Sequence, residues 1–202
     1  MEDLHRSRDE LVSVLTGTHV RVWPYAPGIY PVDTLPRCWA LLCRSGHVGK
    51  VFWNCLHPET LTLMDFLRLM ERALLYIVED RTSGQVAGVC WFDEVLWQYR
   101  AAITVWYARP YWGGKAREGT RIVLEYGFQA HQWHSIWAYT PWRTAVRHGE
   151  AVGAKVQATL PGYAPGGKDV YVLKKERDYV RDTDGPRGPH DTRRETGPDL
   201  CV

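Results

Sequence analysis

The chain has 202 residues, 45% of them hydrophobic and 24% charged, which suits one globular domain with a sizeable core. The formal net charge of +2 does not indicate a surface for nucleic acid or for an anionic membrane. No apolar run reaches the ~18 residues of a membrane helix, so a membrane protein is not expected.

Cysteine usage predicts a reduced protein. The count of five is odd, and no Cys-x-x-Cys pair is present. No signal peptide is visible at the start of the sequence, so we expect a cytoplasmic location. The ten tryptophans are expected in the core and in pocket walls, because indole carries a large apolar area. Stacking on nucleic-acid bases is the less favoured interpretation, because no basic stripe accompanies them.

The N-terminal part gives few periodic signals. Residues 1–16 predict a short amphipathic helix, with Leu4, Leu11 and Leu15 near one face. Residues 17–58 contain several prolines, and this density argues against a long helix. We expect an irregular arm there, packed on the core, with one or two short strands.

The central part is clearer. "HPETLTLMDFLRLMERA" predicts a helix with Pro58 at its first position and Thr60 or Thr62 as the cap. "LLYIVED" and "VAGVCWF" predict two strands joined by the turn "RTSGQ", in which Gly84 allows positive φ. A polar, aromatic loop, "DEVLWQYR", precedes a third strand, "AAITVWYA".

The stretch "ARPYWGGKAREGTRIVLEYGF" predicts the end of a strand, a glycine turn and a helix over 116–131. A further strand "SIWAYT", a helix "PWRTAVRHGEAV" and two late strands, "KVQATLPGY" and "KDVYVLKKE", follow. Beyond Glu176 apolar residues nearly vanish, which predicts a disordered tail. The order of elements predicts a mixed sheet with helices packed on its faces.

This order and these residues resemble the GCN5-related N-acetyltransferase (GNAT) family over about Pro58 to Lys175. The resemblance implies an α/β (α+β) fold with a mixed, mostly antiparallel central sheet flanked by helices. It also implies three regions: an N-terminal helix and arm (1–57), an acyltransferase domain (58–178) and a disordered charged tail (179–202).

In the family, the strand–loop–helix at the matching position binds the pyrophosphate of acetyl-CoA. Unpaired N–H groups and the dipole at a helix start favour an anion there, and glycines let the backbone approach it. The pantetheine arm lies where two strands diverge and bonds backbone groups of the first of them. The implied cofactor-binding residues are Trp106, Tyr107, Ala108, Trp112, Gly113, Gly114, Lys115, Ala116 and Arg117. From the loop alone, a plain strand-to-helix turn is the favoured interpretation, and the whole order of elements favours the cofactor site.

The chain departs from the family pattern at several positions. Lys115 and Arg117 stand where the two loop glycines belong. Trp142 stands where an asparagine is usual, and Gly149 where many members carry the tyrosine that protonates the departing thiolate. The resemblance therefore implies the fold and the cofactor, but not the usual acid.

Acetyl transfer to an amine needs a base, an acid for sulfur and a neutral nucleophile. Asp93 and Glu94, after the strand at 86–92, are the candidate bases, and Tyr139 is the candidate acid. His148, next to the position of the missing tyrosine, is interpreted as a surface or capping group. His131 and His134 share helical spacing, but no third ligand follows, so no metal site is expected.

The leading hypothesis is an acetyl-CoA-dependent N-acetyltransferase acting on an amine of a small molecule or protein. The alternative is a catalytically degenerate member that serves as a binding or structural subunit. The resemblance also implies a possible homodimer through the late strands. Whether the strands that precede the glycine turn and Pro141 diverge is the decisive structural question.

Overall fold

The computed structural model describes residues 15–25, 31–55, 57–96 and 99–177. The helix predicted over 1–16 lies outside these residues except for its last two, and so does almost the whole charged tail. The strands are β1 Val20–Pro24, β2 Leu74–Asp80, β3 Val86–Leu96, β4 Arg100–Tyr107, β5 Ser135–Thr140, β6 Lys155–Ala164 and β7 Lys168–Glu176. The helices are α1 Thr34–Arg44, α2 Val48–Val51, α3 Leu63–Met70, α4 Gly114–His131 and α5 Arg143–Ala151. None of the described helices is long and apolar enough to cross a bilayer.

All seven strands form one sheet, in the order β1-β2-β3-β4-β5-β7-β6. Every neighbouring pair is antiparallel except β4 and β5, which are parallel. The predicted mixed, mostly antiparallel sheet flanked by helices is thus confirmed.

Helices cover both faces of the sheet, because strand side chains alternate between the two. On one face, α4 packs Val123, Leu124 and Phe128 against β3 and β4, and α5 packs Val146 against Leu173. We call this the α4 face. On the other, here the α1 face, helices α1 and α3 form a second core with α2 partly buried beside it.

The arm predicted over 17–58 is more regular than expected. β1, which pairs with β2 at the edge of the sheet, is one of the short strands expected in this segment. The helix α1 was not predicted. Pro36 is tolerated because it lies in the first turn, where the N–H group has no acceptor inside the helix. Leu35, Cys38 and Leu42 recur at helical spacing and are buried, so a periodicity signal was present in spite of the prolines.

Two other boundaries differ from the prediction. α3 begins at Leu63 and not at Pro58, which opens a separate 3-10 turn. Thr62, one of the two predicted cap residues, is the N-cap of α3. Its hydroxyl accepts a hydrogen bond from the Asp65 N–H, and the Asp65 carboxylate accepts one from the Thr62 N–H. β3 continues to Leu96 through a bulge after Asp93, so the loop predicted from residue 93 begins in fact as strand.

Gly88 generates a stability prediction, because β3 and β4 leave no room for a side chain there. A Cβ at Gly88 would lie 2.5 Å from the Tyr107 ring and would overlap the Trp106 carbonyl oxygen. We expect Gly88→Ala to lower the free energy of unfolding by about 1–3 kcal/mol in urea denaturation. Gly49→Ala is the control, because its nearest neighbour would be Pro58 Cγ at 3.9 Å. Equal unfolding midpoints for the two variants would contradict the prediction.

Candidate active site

The parallel contact between β4 and β5 is short. Arg100–Ala102 pair with Ser135–Trp137, and the pairing ends there. β4 runs on to Tyr107 and β5 to Thr140, so the two strands diverge over their C-terminal halves. This is the divergence on which the expectation of a pantetheine slot depended.

A cavity of about 410 Å³ occupies the slot between the diverging strands. β4 contributes residues 103–107 and β5 residues 136–140 to its walls. Side chains of α4 and α5 close it on the α4 face, and α2 and Trp53 lie across it on the α1 face. The cavity therefore reaches both faces of the sheet.

The start of α4 forms one end of the cavity and suits an anion. Gly113 has φ of 88°, a conformation that side chains disfavour, and a Cβ on Gly113 or Gly114 would meet nothing within 4 Å. The N–H of Arg117 bonds the Gly113 carbonyl at 3.0 Å, so the N–H groups of the preceding helical residues lie in the unpaired first turn. Ala116 and the Arg117 side chain line the cavity beside them. The residues present thus fit a pyrophosphate.

The side chain of Lys115 forms an ion pair with Asp80. It is directed to the turn between β2 and β3, where Nζ lies 2.6 Å from Oδ1 of buried Asp80. Asp80 also accepts hydrogen bonds from the hydroxyl and the N–H of Ser83. The Lys115 hydrogen bond, followed by those from Ser83, lowers the pKa of Asp80 to about 2. The ion pair ties the loop to the sheet, and the predicted place of Lys115 among the cofactor-binding residues stays a prediction.

The three predicted backbone contacts on β4 have different surroundings. Trp106 and Tyr107 line the cavity. The Tyr107 carbonyl accepts a hydrogen bond from the Trp112 indole at 2.8 Å. The N–H of Ala108 donates to the Ala87 carbonyl at 2.9 Å, so it is committed to β3. Ala108 itself does not line the cavity, and its contact with the cofactor stays a prediction.

The three candidate catalytic residues separate in the structure. Tyr139 lines the cavity from β5. Asp93 pairs with Ala102, the last β4 residue of the parallel contact, and accepts a hydrogen bond from the Trp91 indole at 3.2 Å. Burial, and next the charge of Glu94, raises the pKa of Asp93. Neither Asp93 nor Glu94 lines the cavity, and Glu94 is exposed in the bulge with φ of 45°. The catalytic roles of the three residues stay predictions.

His148 is a residue that the sequence interpretation missed. It lines the cavity, and its Nε2 lies 2.9 Å from the Thr120 hydroxyl. Thr120 in turn lies 3.0 Å from the Tyr107 hydroxyl, which lies 3.4 Å from Cys90 Sγ. Burial, and next the charge of Arg117, lowers the pKa of His148. One indication of this contact was present in the sequence: Thr120 is a polar residue on the apolar face of α4.

α2 spans the slot on the α1 face. The Trp106 indole donates to Nδ1 of His47 at 3.1 Å, and the His47 ring stacks on Trp112 at 5.8 Å. At the other end of α2, the Trp142 indole donates to the Lys50 carbonyl at 3.1 Å. One end of α2 is thus attached to the β4 margin of the slot and the other to the margin after β5.

Residues 38–143 match the family model described as the acetyltransferase (GNAT) domain. The chain belongs to the GNAT family. The match begins at Cys38, before the domain boundary predicted between residues 57 and 58, and that boundary stays a prediction. None of the curated proteins matches the sequence.

Solved structures of GNAT proteins share the fold at low sequence identity. Spermidine N-acetyltransferase from Vibrio cholerae, in complex with CoA and spermine, is 17% identical with a TM-score of 0.64, over 79% of this chain and 96% of that one. Ribosomal-protein-S5-alanine acetyltransferase from Vibrio fischeri is 17% identical with a TM-score of 0.62, over 81% and 96%. A GNAT-family acetyltransferase from Bacillus anthracis is 17% identical with a TM-score of 0.63, over 80% and 97%.

The Asp80–Lys115 pair generates a pH-dependent prediction. The pKa of Asp80 in the folded protein, about 2, is below its ordinary value of 3.8. Ionised Asp80 therefore stabilises the fold above 3.8, and this contribution is lost as the pH falls towards 2. We expect Asp80→Asn to lower the thermal midpoint at neutral pH, with a difference that shrinks in acid.

Glu71→Gln, on the exposed surface after α3, is the control for this measurement. It should keep the wild-type midpoint throughout the same pH series. A neutral-pH midpoint of Asp80→Asn equal to that of the wild type would contradict the stabilising role of the pair.

Proposed function

We propose that this GNAT protein transfers an acetyl group from acetyl-CoA, as co-substrate, to an amine of a small molecule or protein. The observation that carries the proposal is the divergence of β4 and β5 around a cavity that ends at the start of α4. Acetyl-CoA supplies the activated acyl group, and the cavity offers a slot for its pantetheine and an anion site for its pyrophosphate.

Binding of the co-substrate would use the loop and two arginines. The N–H groups that open α4 would hold the pyrophosphate, together with the side chain of Arg117. Arg147, on α5, lines the same cavity and adds a second guanidinium on the α4 face. Guanidinium groups suit phosphate oxygens because their donors match them in pairs.

Asp93 is our proposed general base. It lies on β3 opposite Ala102, next to the point where the parallel pairing ends. Its raised pKa makes its carboxylate a stronger proton acceptor than an ordinary aspartate, which favours removal of a proton from the amine. Tyr139, from β5 at the cavity wall, is the proposed donor of a proton to sulfur. Glu94 has no part in this proposal.

A catalytically degenerate binding subunit is the second candidate, and Gly149 is the observation that favours it. A Cβ at Gly149 would lie 2.6 Å from Leu173 Cδ2, so a larger side chain there would require Leu173 to shift. The usual proton donor of the family is therefore replaced or lost. The two candidates differ in turnover and agree in cofactor binding.

Location and assembly also remain proposals. The described cysteines, Cys38, Cys43, Cys55 and Cys90, are free thiols, which fits a reducing cytoplasm. β6 is an edge strand that is exposed along almost its whole length, which fits pairing of two copies in a homodimer.

Cofactor binding can be tested at Gly114. We expect calorimetry to show micromolar binding of acetyl-CoA to the wild type and to Gly114→Ala, because a Cβ there enters open space. Gly114→Glu should abolish binding, because it places a carboxylate where the phosphates would lie. The variant should still fold, since an acidic side chain is favourable at a helix start. No wild-type binding at millimolar acetyl-CoA would contradict the proposed function.

Catalysis can be tested at Asp93 and Tyr139 with a thiol-release assay over a panel of amines. We expect Asp93→Asn to lower kcat by about 100-fold or more, typical of a lost general base, with acetyl-CoA affinity unchanged. Tyr139→Phe should lower kcat and keep affinity, whereas Glu94→Gln should keep both. Full activity of Asp93→Asn would exclude Asp93 as the base. Silence of the wild type with every amine, despite acetyl-CoA binding, would favour the binding-subunit alternative.

A further inference from the structure

The α1-face mouth of the cavity carries positive charge among aromatic rings. We define this mouth by Lys50, Trp53, Trp137, Tyr139 and Trp142, all of which line the cavity. Trp137 and Tyr139 alternate on β5 with Ile136 and Ala138, which pack into the α4-face cores, so they face the opposite side. Trp142 reaches the same side, because its indole bonds the Lys50 carbonyl on α2.

Two more lysines lie over the rings of this mouth. Lys168 Nζ lies 4.3 Å from the centroid of Trp142, and Lys174 Nζ lies 5.5 Å from that of Trp137. These contacts occupy ring faces that would otherwise attract an ammonium ligand through cation–π interaction. Together with Lys50, they place ammonium groups of the protein around the mouth.

Carboxylates are scarce there. Among the described residues that line the cavity, none is an aspartate or glutamate. Asp93 lies on the same face, one β-strand away from the slot, and the proposed mechanism uses it for proton transfer. Glu176 is bonded to Lys174 at 2.7 Å, so this carboxylate is already paired with a lysine.

This charge pattern discriminates between amines. An acceptor with several ammonium groups would place the groups that do not react against lysines, without a carboxylate to compensate their desolvation. A monoamine gains from the same field, because nearby positive charge lowers the pKa of an ammonium and favours the neutral nucleophile. An anionic group elsewhere on the acceptor would find cations, and a flat ring would find the indole of Trp53, which also lines the cavity.

We infer that the acceptor is a monoamine with an aromatic ring and an anionic group, carboxylate or phosphate, and not a polyamine. This inference rests on the proposed acetyl transfer. In that reaction the amine nitrogen forms the amide C–N bond and loses a proton to Asp93. The thioester C–S bond breaks, and the thiolate that leaves is protonated by Tyr139. The spermidine enzyme with a similar fold therefore differs from this chain in the charge that its acceptor carries.

Four amines test the inference in the thiol-release assay. L-tryptophan carries a ring and a carboxylate, pyridoxamine 5′-phosphate a ring and a phosphate, tryptamine a ring alone, and spermidine several ammonium groups. We expect kcat/KM for tryptophan or for the phosphate compound to exceed that for tryptamine by about tenfold or more, with spermidine lowest. Which of the first two is better identifies the anionic group. Preference for tryptamine or spermidine would overturn the inference.

Lys50→Glu tests whether the positive charge at the α1-face mouth selects the acceptor. Lys50 is exposed on α2, and only its backbone carbonyl holds Trp142, so the variant should fold. We expect it to lose the preference for anionic amines and to raise the relative rate of tryptamine and spermidine. Arg72→Glu makes the same charge change on the exposed surface after α3 and should keep the wild-type ranking. An unchanged ranking in Lys50→Glu would overturn the inference.

Calorimetry with acetyl-CoA distinguishes failure of the acceptor inference from failure of the proposed acetyl transfer. If acetyl-CoA binds and spermidine is preferred, the acceptor inference fails and the proposed function stands. If acetyl-CoA binds and all four amines are silent, the acceptor inference fails as well. If acetyl-CoA does not bind, the proposed function fails and takes the inference with it.

Discussion

The short parallel contact between β4 and β5 is the constraint on which the site depends. Beyond Ala102 and Trp137 the two strands no longer exchange hydrogen bonds, and the sheet opens into a slot. Strand backbone that loses its neighbour keeps its polar groups, which must find other partners. The Tyr107 carbonyl finds the Trp112 indole, and the remaining slot offers β4 backbone to an extended ligand. A continued ladder would have used these groups and filled the space.

Polar contacts on both faces hold the margins of the slot at fixed positions. On the α1 face, α2 is bonded to Trp106 through His47 and to Trp142 through its last turn. On the α4 face, the Tyr107 hydroxyl reaches α5 through Thr120 and His148. Hydrogen bonds on both faces of the sheet therefore connect the two margins of the slot, and they help to set its width in the absence of a ligand. In the proposed complex with acetyl-CoA, such a preformed slot would lower the cost of ordering the flexible pantetheine chain.

The sequence predicted the fold well where local pattern and topology agreed. β2 and β7 were predicted with their observed ends, and the element order led to the GNAT resemblance that the family match confirms. α1 was missed because the prolines of the 17–58 segment were weighed above the periodicity of Leu35, Cys38 and Leu42. The candidate site was predictable at the level of elements and not of side chains. Lys115 shows why: its partner Asp80 lies 35 residues away in the sequence, at the end of β2, and no local pattern links the two.

The hydrogen bonds that link Cys90, Tyr107, Thr120 and His148 beside the slot were also not predictable from the sequence. The pKa shifts of these residues bear on the chemistry of the site. Burial raises the pKa of Cys90 to about 12 and that of Tyr107 well above its ordinary value, so both stay protonated near neutral pH. Burial lowers the pKa of His148, which favours the neutral imidazole, and its Nε2 shares a hydrogen bond with the Thr120 hydroxyl. A chain whose members all stay neutral near physiological pH fixes positions and carries no charge to the slot. In the proposed reaction the proton acceptor lies on the opposite face, where burial raises the pKa of Asp93 and Lys50 lines the cavity.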